Sequence, residues 1–272
     1  MSTSQMAAHA VEDLFANSTD GRMNIGLTIL ATSTPDQPQP ATAVRMRGTP
    51  AFDVNVGCSG FLHAVDAARC MIRKQLDSTA LVIGTDLHSP AVNRTDRRIA
   101  PLFGDAAGAV LLANVTEGYG IHTIKLQADA DGDELAGARV GGTREAADGR
   151  HRGKGRHLFR PQGRAVEEYA RTAVPQAVDD VLREVAWSAG DIDRAFLHQG
   201  STRMIEILAT ESGINMNRIP LSAPPFGSTG AASIPFTLAE ENRRRPIEQG
   251  ERIPLASVGG GTTTTAAVLT WF

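Results

Sequence analysis

The sequence predicts an α/β protein made of two related halves, and two observations predict it. Short apolar runs bounded by glycine, proline and polar residues alternate along the chain with segments of helical period. In addition, FGDAAGAVLLAN in the first half is echoed by GGTTTTAAVLTWF at the end: glycines, small residues, then an apolar strand. With 272 residues, 42% of them hydrophobic, the chain can bury a sizeable core as one large domain or as two halves sharing a core.

Each element has its own justification. Residues 7–15 read as a short helix, and IGLTILA (25–31) as a buried strand closed by the proline-rich loop STPDQPQP. Residues 51–56 form a second strand that runs directly into Gly57 and Cys58. From 59 to 76, Phe61, Leu62, Val65, Ala68, Met71 and Ile72 recur at helical spacing. ALVIG (80–84) and AGAVLLAN (107–114) are further strands, joined by a polar, proline-bearing loop. Residues 129–156 are crowded with Gly, Asp and Arg, have almost no apolar residues, and read as a mobile excursion between the halves. Residues 165–185 have the helix period, 195–197 form a short strand ending at His198, and 201–212 form a helix stopped by Gly213. Residues 231–243 are helical, and 251–272 supply a strand pair around a glycine turn. The division is therefore 1–128, 129–157 and 158–272.

The formal charge of −3 points to neither nucleic acid nor a membrane surface. Cys58 and Cys70 are no disulfide framework and suit a reducing compartment. No charged start precedes an apolar core, and no apolar run approaches the roughly 18 residues that span a bilayer, so a cytoplasmic protein is expected. There is no metal-ligand cluster, no Walker-type loop, and GDAAGA lacks the dinucleotide-binding spacing, so neither a metal nor a nicotinamide cofactor is expected.

Cys58 stands between a strand and an amphipathic helix. Free backbone amides and the helix dipole there favour a thiolate, so its pKa is expected to fall. Gly57 and Gly60 beside it permit a tight turn and close approach of substrate. Position alone leaves a buried structural cysteine open as a second reading. His198, at the end of a strand, could polarise a thioester carbonyl or exchange a proton, or simply be a hydrogen-bonded histidine at a loop edge. His63 and His88 are weaker candidates; His122, His151 and His157 lie in surface-like sequence. Gly259 to Gly261 could offer amides to a developing oxyanion, or be an ordinary sharp turn.

Five ordered motifs resemble the ketoacyl-carrier-protein synthase III family: PAFDVNVGCSGFLHAV its nucleophile segment, LFGDAAGAVLLA the strand after it, HQGSTRMIEILATESGI its histidine segment, FGSTGAASIP its GNTSAASIP segment, and the GGG turn. The resemblance implies a thiolase-like fold, two similar halves in a layered α-β-α-β-α core, assembled as a homodimer. It implies that Cys58 accepts the acyl group, that the amides of Cys58 and of Gly259 or Gly260 hold the oxyanion, and that His198 acts on the second substrate. The family's Cys-His-Asn triad has Ser228 at its Asn position, and a hydroxyl is a shorter donor than an amide. Ser201 replaces the asparagine of the histidine segment, and Arg203 matches a position associated with the carrier's phosphopantetheine. Relatives also begin with an additional strand and cap region that has no counterpart here, which favours carrier-protein substrates over free coenzyme A esters. The function implied is acylation of Cys58 from a carrier protein or coenzyme A thioester, then condensation with malonyl carrier protein in fatty-acid or polyketide metabolism. Transfer to an alcohol or amine without decarboxylation, or service as a non-catalytic partner subunit, are the alternatives.

Overall fold

The computed structural model of the chain describes residues 1–17, 25–46, 48–72, 79–132, 134–146 and 155–272. Two four-stranded sheets organise it. The first has the order β2 (Ala51–Val54), β1 (Ile25–Ala31), β3 (Thr79–Leu87), β4 (Asp105–Leu112). The second has the order β5 (Gly120–Ala128), β10 (Thr263–Thr270), β9 (Arg252–Gly259), β8 (Phe196–Leu197). In the first, β1 is parallel to β2 and β3, and β4 runs antiparallel to β3. In the second, β8 is parallel to β9 and β10 antiparallel to it. The echo between the two glycine-led segments is thus topological: each closes a parallel pair with an antiparallel strand.

Strand alternation sends side chains to opposite faces and so assigns the layers. On β1 and β3, Leu27, Ile29, Ala31, Ala80 and Val82 face a central layer, which holds α2 (Gly60–Ile72) and α6 (Ser233–Arg244), the latter following the short α5 (Ala223–Phe226). Leu30, Leu81 and Ile83 face the other way, onto α1 (Thr3–Ala16). In the second sheet Leu255, Ala267 and Leu269 meet the central layer. Ala256, Val258, Ala266 and Val268 meet α3 (Gly163–Glu184) and α4 (Thr202–Glu211). The order is helix, sheet, helix, sheet, helix, a thiolase-like architecture. Close approach of α6 to the first sheet requires glycine: a Cβ at Gly84 would lie 2.3 Å from the Ala231 carbonyl oxygen, and one at Gly108 2.5 Å from the Phe236 amide.

Several boundaries differ from expectation for identifiable reasons. Helix α1 starts at Thr3 because Ser2 and Gln5 form a capping box. Helix α3 starts two residues earlier than expected, at Gly163, and runs through Pro175 as the period indicated, since its buried stripe of Ala170, Val174, Ala177, Val178, Val181 and Leu182 outweighs the local cost of proline. The expected tail of the helix after Cys58, residues 73–76, lies outside the described residues.

The division at residue 128 needs correction. Strand β5, assigned to the first half, pairs along its length with β10 in the second sheet. Its pattern hides it: a register shift opposite Val268 and Leu269 brings Ile121 and Ile124 to the same core, three residues apart. The excursion is also more ordered than expected. β6 (Ala136–Gly137) pairs with β7 (Arg160–Pro161) just beyond the excursion, Val140 is buried, and the Gly141 amide donates to the Glu145 carbonyl at 2.9 Å. Residues 147–154 of the excursion lie outside the described residues.

Candidate active site

Cys58 ends a tight turn between β2 and α2. The Ser59 amide donates to the Val56 carbonyl at 3.2 Å and the Gly60 amide to the Gly57 carbonyl at 3.0 Å. Strand β9 fastens both halves of the site with consecutive residues. The Ser257 hydroxyl donates to the Cys58 carbonyl at 2.9 Å, and the Ala256 carbonyl accepts from the His198 amide at 2.8 Å. On the glycine turn, a Cβ at Gly259 would lie 2.8 Å from the Val56 carbonyl oxygen and 3.0 Å from the Ser59 amide. The two turns are in contact through Gly259, and a Cβ at Gly260 would come within 3.0 Å of the Ala136 carbonyl oxygen. Part of the excursion therefore covers the site.

The thiol corrects one expectation. Burial, and next the charge of Asp86, push the Cys58 pKa up to about 12, against the backbone amides of Cys58 and Gly260, which donate toward the sulfur. Helix-terminal amides are present, as the sequence indicates, but enclosure and a neighbouring anion outweigh them. Cys58 rests as a thiol. Two amides directed at one sulfur are an arrangement that can also hold a negative oxygen formed next to it. Cys70, by contrast, is exposed.

His198 follows β8 and is buried, with its Nδ1 enclosed and without a hydrogen-bond partner among the described residues. Burial first, and then the neighbouring His88, push its pKa down to about 4, so it is a neutral imidazole near pH 7. Gln199 holds this segment in place. Its Nε2 donates to the Leu197 and Pro220 carbonyls at 3.0 and 3.3 Å, and its Oε1 accepts from the Ser222 and Ala223 amides at 3.1 and 3.3 Å. Because His198 charges less readily folded than unfolded, it contributes stability that is present above about pH 6.5 and lost as pH falls toward 4. The melting temperature is expected to fall across that window, a loss of about 3 kcal/mol at about 1.4 kcal/mol per pH unit. His198→Gln should remove this component of the pH profile in thermal melts.

Ser228 is buried, and its backbone bridges to the segment after β3: its amide donates to the Leu102 carbonyl at 2.7 Å and its carbonyl accepts from the Gly104 amide at 2.9 Å. Ser201 is the N-cap of α4, its hydroxyl accepting from the Met204 amide at 3.2 Å. Arg203 is exposed and pairs with Glu167 at 3.2 Å. His63 contacts the Ser59 carbonyl within its own helix turn, and His151 lies outside the described residues.

One of the weaker candidates gains weight and one residue was missed in the sequence. His88, in a polar-looking loop, is buried: its Nδ1 donates to the Gly104 carbonyl at 3.4 Å, and its ring packs on Phe103 and Phe159 at 5.0 and 6.1 Å. Asp86, inside a buried strand, is wholly enclosed. The only hint of either was a polar residue at the end of an apolar run.

A model of the 3-oxoacyl-[acyl-carrier-protein] synthase III family matches residues 52–132, and a model of that family's C-terminal region matches 182–271. The β-ketoacyl-[acyl-carrier-protein] synthase III 2 of Deinococcus radiodurans is 36% identical over 280 residues, covering 100% of this chain and 81% of that protein. The chain belongs to this family. The synthase III of Roseiflexus castenholzii is 34% identical, covering 91% of this chain and 77% of its own length. The crystal structure of the synthase III of Pseudomonas aeruginosa PAO1 superposes with a TM-score of 0.89 at 30% identity, covering 100% of this chain and 84% of that one. The family models span both Cys58 and His198, the two residues that β9 holds through Ser257 and Ala256. No helix among the described residues is long and apolar enough to cross a membrane.

Proposed function

We propose that this family member is an acyltransferase of the β-ketoacyl synthase III type, acylated on Cys58 and condensing that acyl group with malonyl carrier protein. The single observation that supports it best is the packing of the glycine turn on the turn of Cys58, where a Cβ at Gly57 would lie 3.1 Å from the Gly260 amide nitrogen, so that this amide and that of Cys58 both act on the sulfur. In the first half-reaction the Cys58 sulfur bonds to the acyl carbon, the carbon–sulfur bond to the carrier breaks, and the thiol proton leaves with the carrier thiol. Those amides hold the tetrahedral oxyanion. In the second, malonyl thioester loses carbon dioxide and its enolate bonds to the acyl carbon. The Cys58–acyl bond breaks, and the released sulfur takes a proton, as its high pKa demands. His198 and, with a shorter reach, Ser228 face the acceptor thioester carbonyl as its enolate forms. Arg203 and Ser201, on the first turn of α4, meet the phosphopantetheine arm that delivers acyl groups from carrier protein or coenzyme A, and no further cofactor is needed. The protein acts as a cytoplasmic homodimer in fatty-acid or polyketide metabolism.

Ser228 in place of an asparagine favours one second reading, transfer of the acyl group to an alcohol or amine. Product analysis separates the two. With acyl thioester and malonyl carrier protein, the expected outcome is β-ketoacyl product with one carbon dioxide released per turnover. Ester or amide without carbon dioxide, formed when an alcohol or amine is supplied, would establish the other reading.

A further inference from the structure

The carboxylate of Asp86 joins the two halves of the site. One oxygen, Oδ1, accepts from the Thr32 hydroxyl at 3.1 Å, the Ser33 amide at 2.7 Å, the Ser33 hydroxyl at 2.9 Å and the Thr34 hydroxyl at 3.1 Å. These donors all come from the end of β1 and the loop after it, on the nucleophile's side. The other oxygen, Oδ2, accepts from the Ala231 amide at 2.8 Å, on the turn that begins with Ser228. Gly230 in that turn has φ +58°, and a Cβ there would sit 2.1 Å from Asp86 Oδ2 and 2.6 Å from His88 Cε1. Among the described residues no lysine or arginine forms a salt bridge with Asp86. Every partner is neutral, and two of them are backbone amides that can only donate.

A buried carboxylate is costly unless both its oxygens are satisfied, and with donors on Oδ1 and on Oδ2 both must accept, which an amide cannot do. Here the anion also acts on Cys58. We propose that Asp86 is a positioning residue that clamps the 228–231 turn onto the nucleophile's half of the molecule, its carboxylate charge acting on Cys58 from a different strand. The clamp fixes the turn carrying Ser228 and places Gly230 against His88. The charge opposes the thiolate, so the sulfur reacts only where the oxyanion amides and an acyl thioester share the developing charge. The part of this inference that concerns turnover rests on Cys58 being the acyl carrier; the part that concerns the thiol does not.

Asp86→Asn tests both parts with opposite signs. The amide keeps the size of the side chain but presents an NH2 either to the Ala231 amide or to the four donors on the other side, so the clamp fails. It also removes the charge. The groups that face the site are Asp86 from β3, His88 from the loop after it, and His198, which stays neutral. The rate of Cys58 alkylation by iodoacetamide, followed against pH, is expected to have its midpoint about one pH unit or more lower, or about tenfold faster alkylation at a fixed pH below it. Loosened packing would raise the rate at every pH without moving the midpoint. In the same variant the acyl adduct on Cys58 should still form, while β-ketoacyl product falls about tenfold or more. An unmoved midpoint, or adduct and product falling in parallel, would overturn the proposal. Gly230→Ala keeps the charge and wedges the turn away from Oδ2, so it should lose product with no change in midpoint. If Asp86→Asn does not fold, Gly230→Ala decides the clamp, and wild-type product formation there would overturn it. Should the wild type form no adduct at all, the functional reading fails and the alkylation profile still decides the role of Asp86.

Discussion

Arg194→Ala is expected to cost about 3–5 kcal/mol of stability, the range for removing one partner of a buried ion pair. Arg194 is only 4% exposed and lies two residues before β8, the strand that delivers His198. Its guanidinium donates to Glu241 at 3.3 Å and Glu251 at 2.7 Å, and to the Arg245 and Pro246 carbonyls at 2.6 and 2.8 Å. Truncation would leave Glu251 with the Glu248 amide and Glu241 with Arg245, and would leave two carbonyls facing a cavity where the end of α6 meets the second sheet. A denaturant melt of the variant measures the loss. A change below about 1 kcal/mol would mean that water replaces the guanidinium and that this network does not hold the strand. The exposed Arg203–Glu167 pair provides the contrast, because exposed pairs contribute about 0–1 kcal/mol.

Gly259→Ala is expected to lower the rate of product formation by about a hundredfold to a thousandfold, the loss seen when one oxyanion donor is removed. A methyl group there would meet the Val56 carbonyl oxygen at 2.8 Å, the Ser59 amide at 3.0 Å and the Thr263 hydroxyl at 2.7 Å. Two of those atoms belong to the nucleophile's turn, so relief comes by parting the two turns and withdrawing the Gly260 amide from the sulfur. Steady-state rates with the variant check this, alongside a melting curve to confirm that it is folded. Activity within threefold of wild type would show that the glycine turn contributes no necessary donor.

Much of this architecture was legible in the chain. Short apolar runs with glycine boundaries identified β1, β3, β4, β9 and β10, because strands buried on both faces need no alternation. Gly213, at φ +65°, stops α4 where expected. The site was legible as motifs, since Cys58, His198, Ser228 and the glycine turn each stand where an element ends. Their electrostatics were not legible. A helix N-terminus predicts a low thiol pKa, yet that argument is local, while Asp86 reaches Cys58 from a different strand. His88 looked like a loop histidine because its enclosure comes from Phe103 and Phe159, the latter from beyond the excursion. Strand β5 was lost to a register shift that breaks its alternation, and with it went the true division between the sheets.

The mass of the intact protein after incubation with an acyl thioester tests the central claim most directly. The wild type should gain the mass of one acyl group, lost on treatment with hydroxylamine, and Cys58→Ala should gain nothing under the same conditions. A wild-type protein that stays unmodified with both carrier-protein and coenzyme A thioesters, or an adduct that persists in Cys58→Ala, would contradict it.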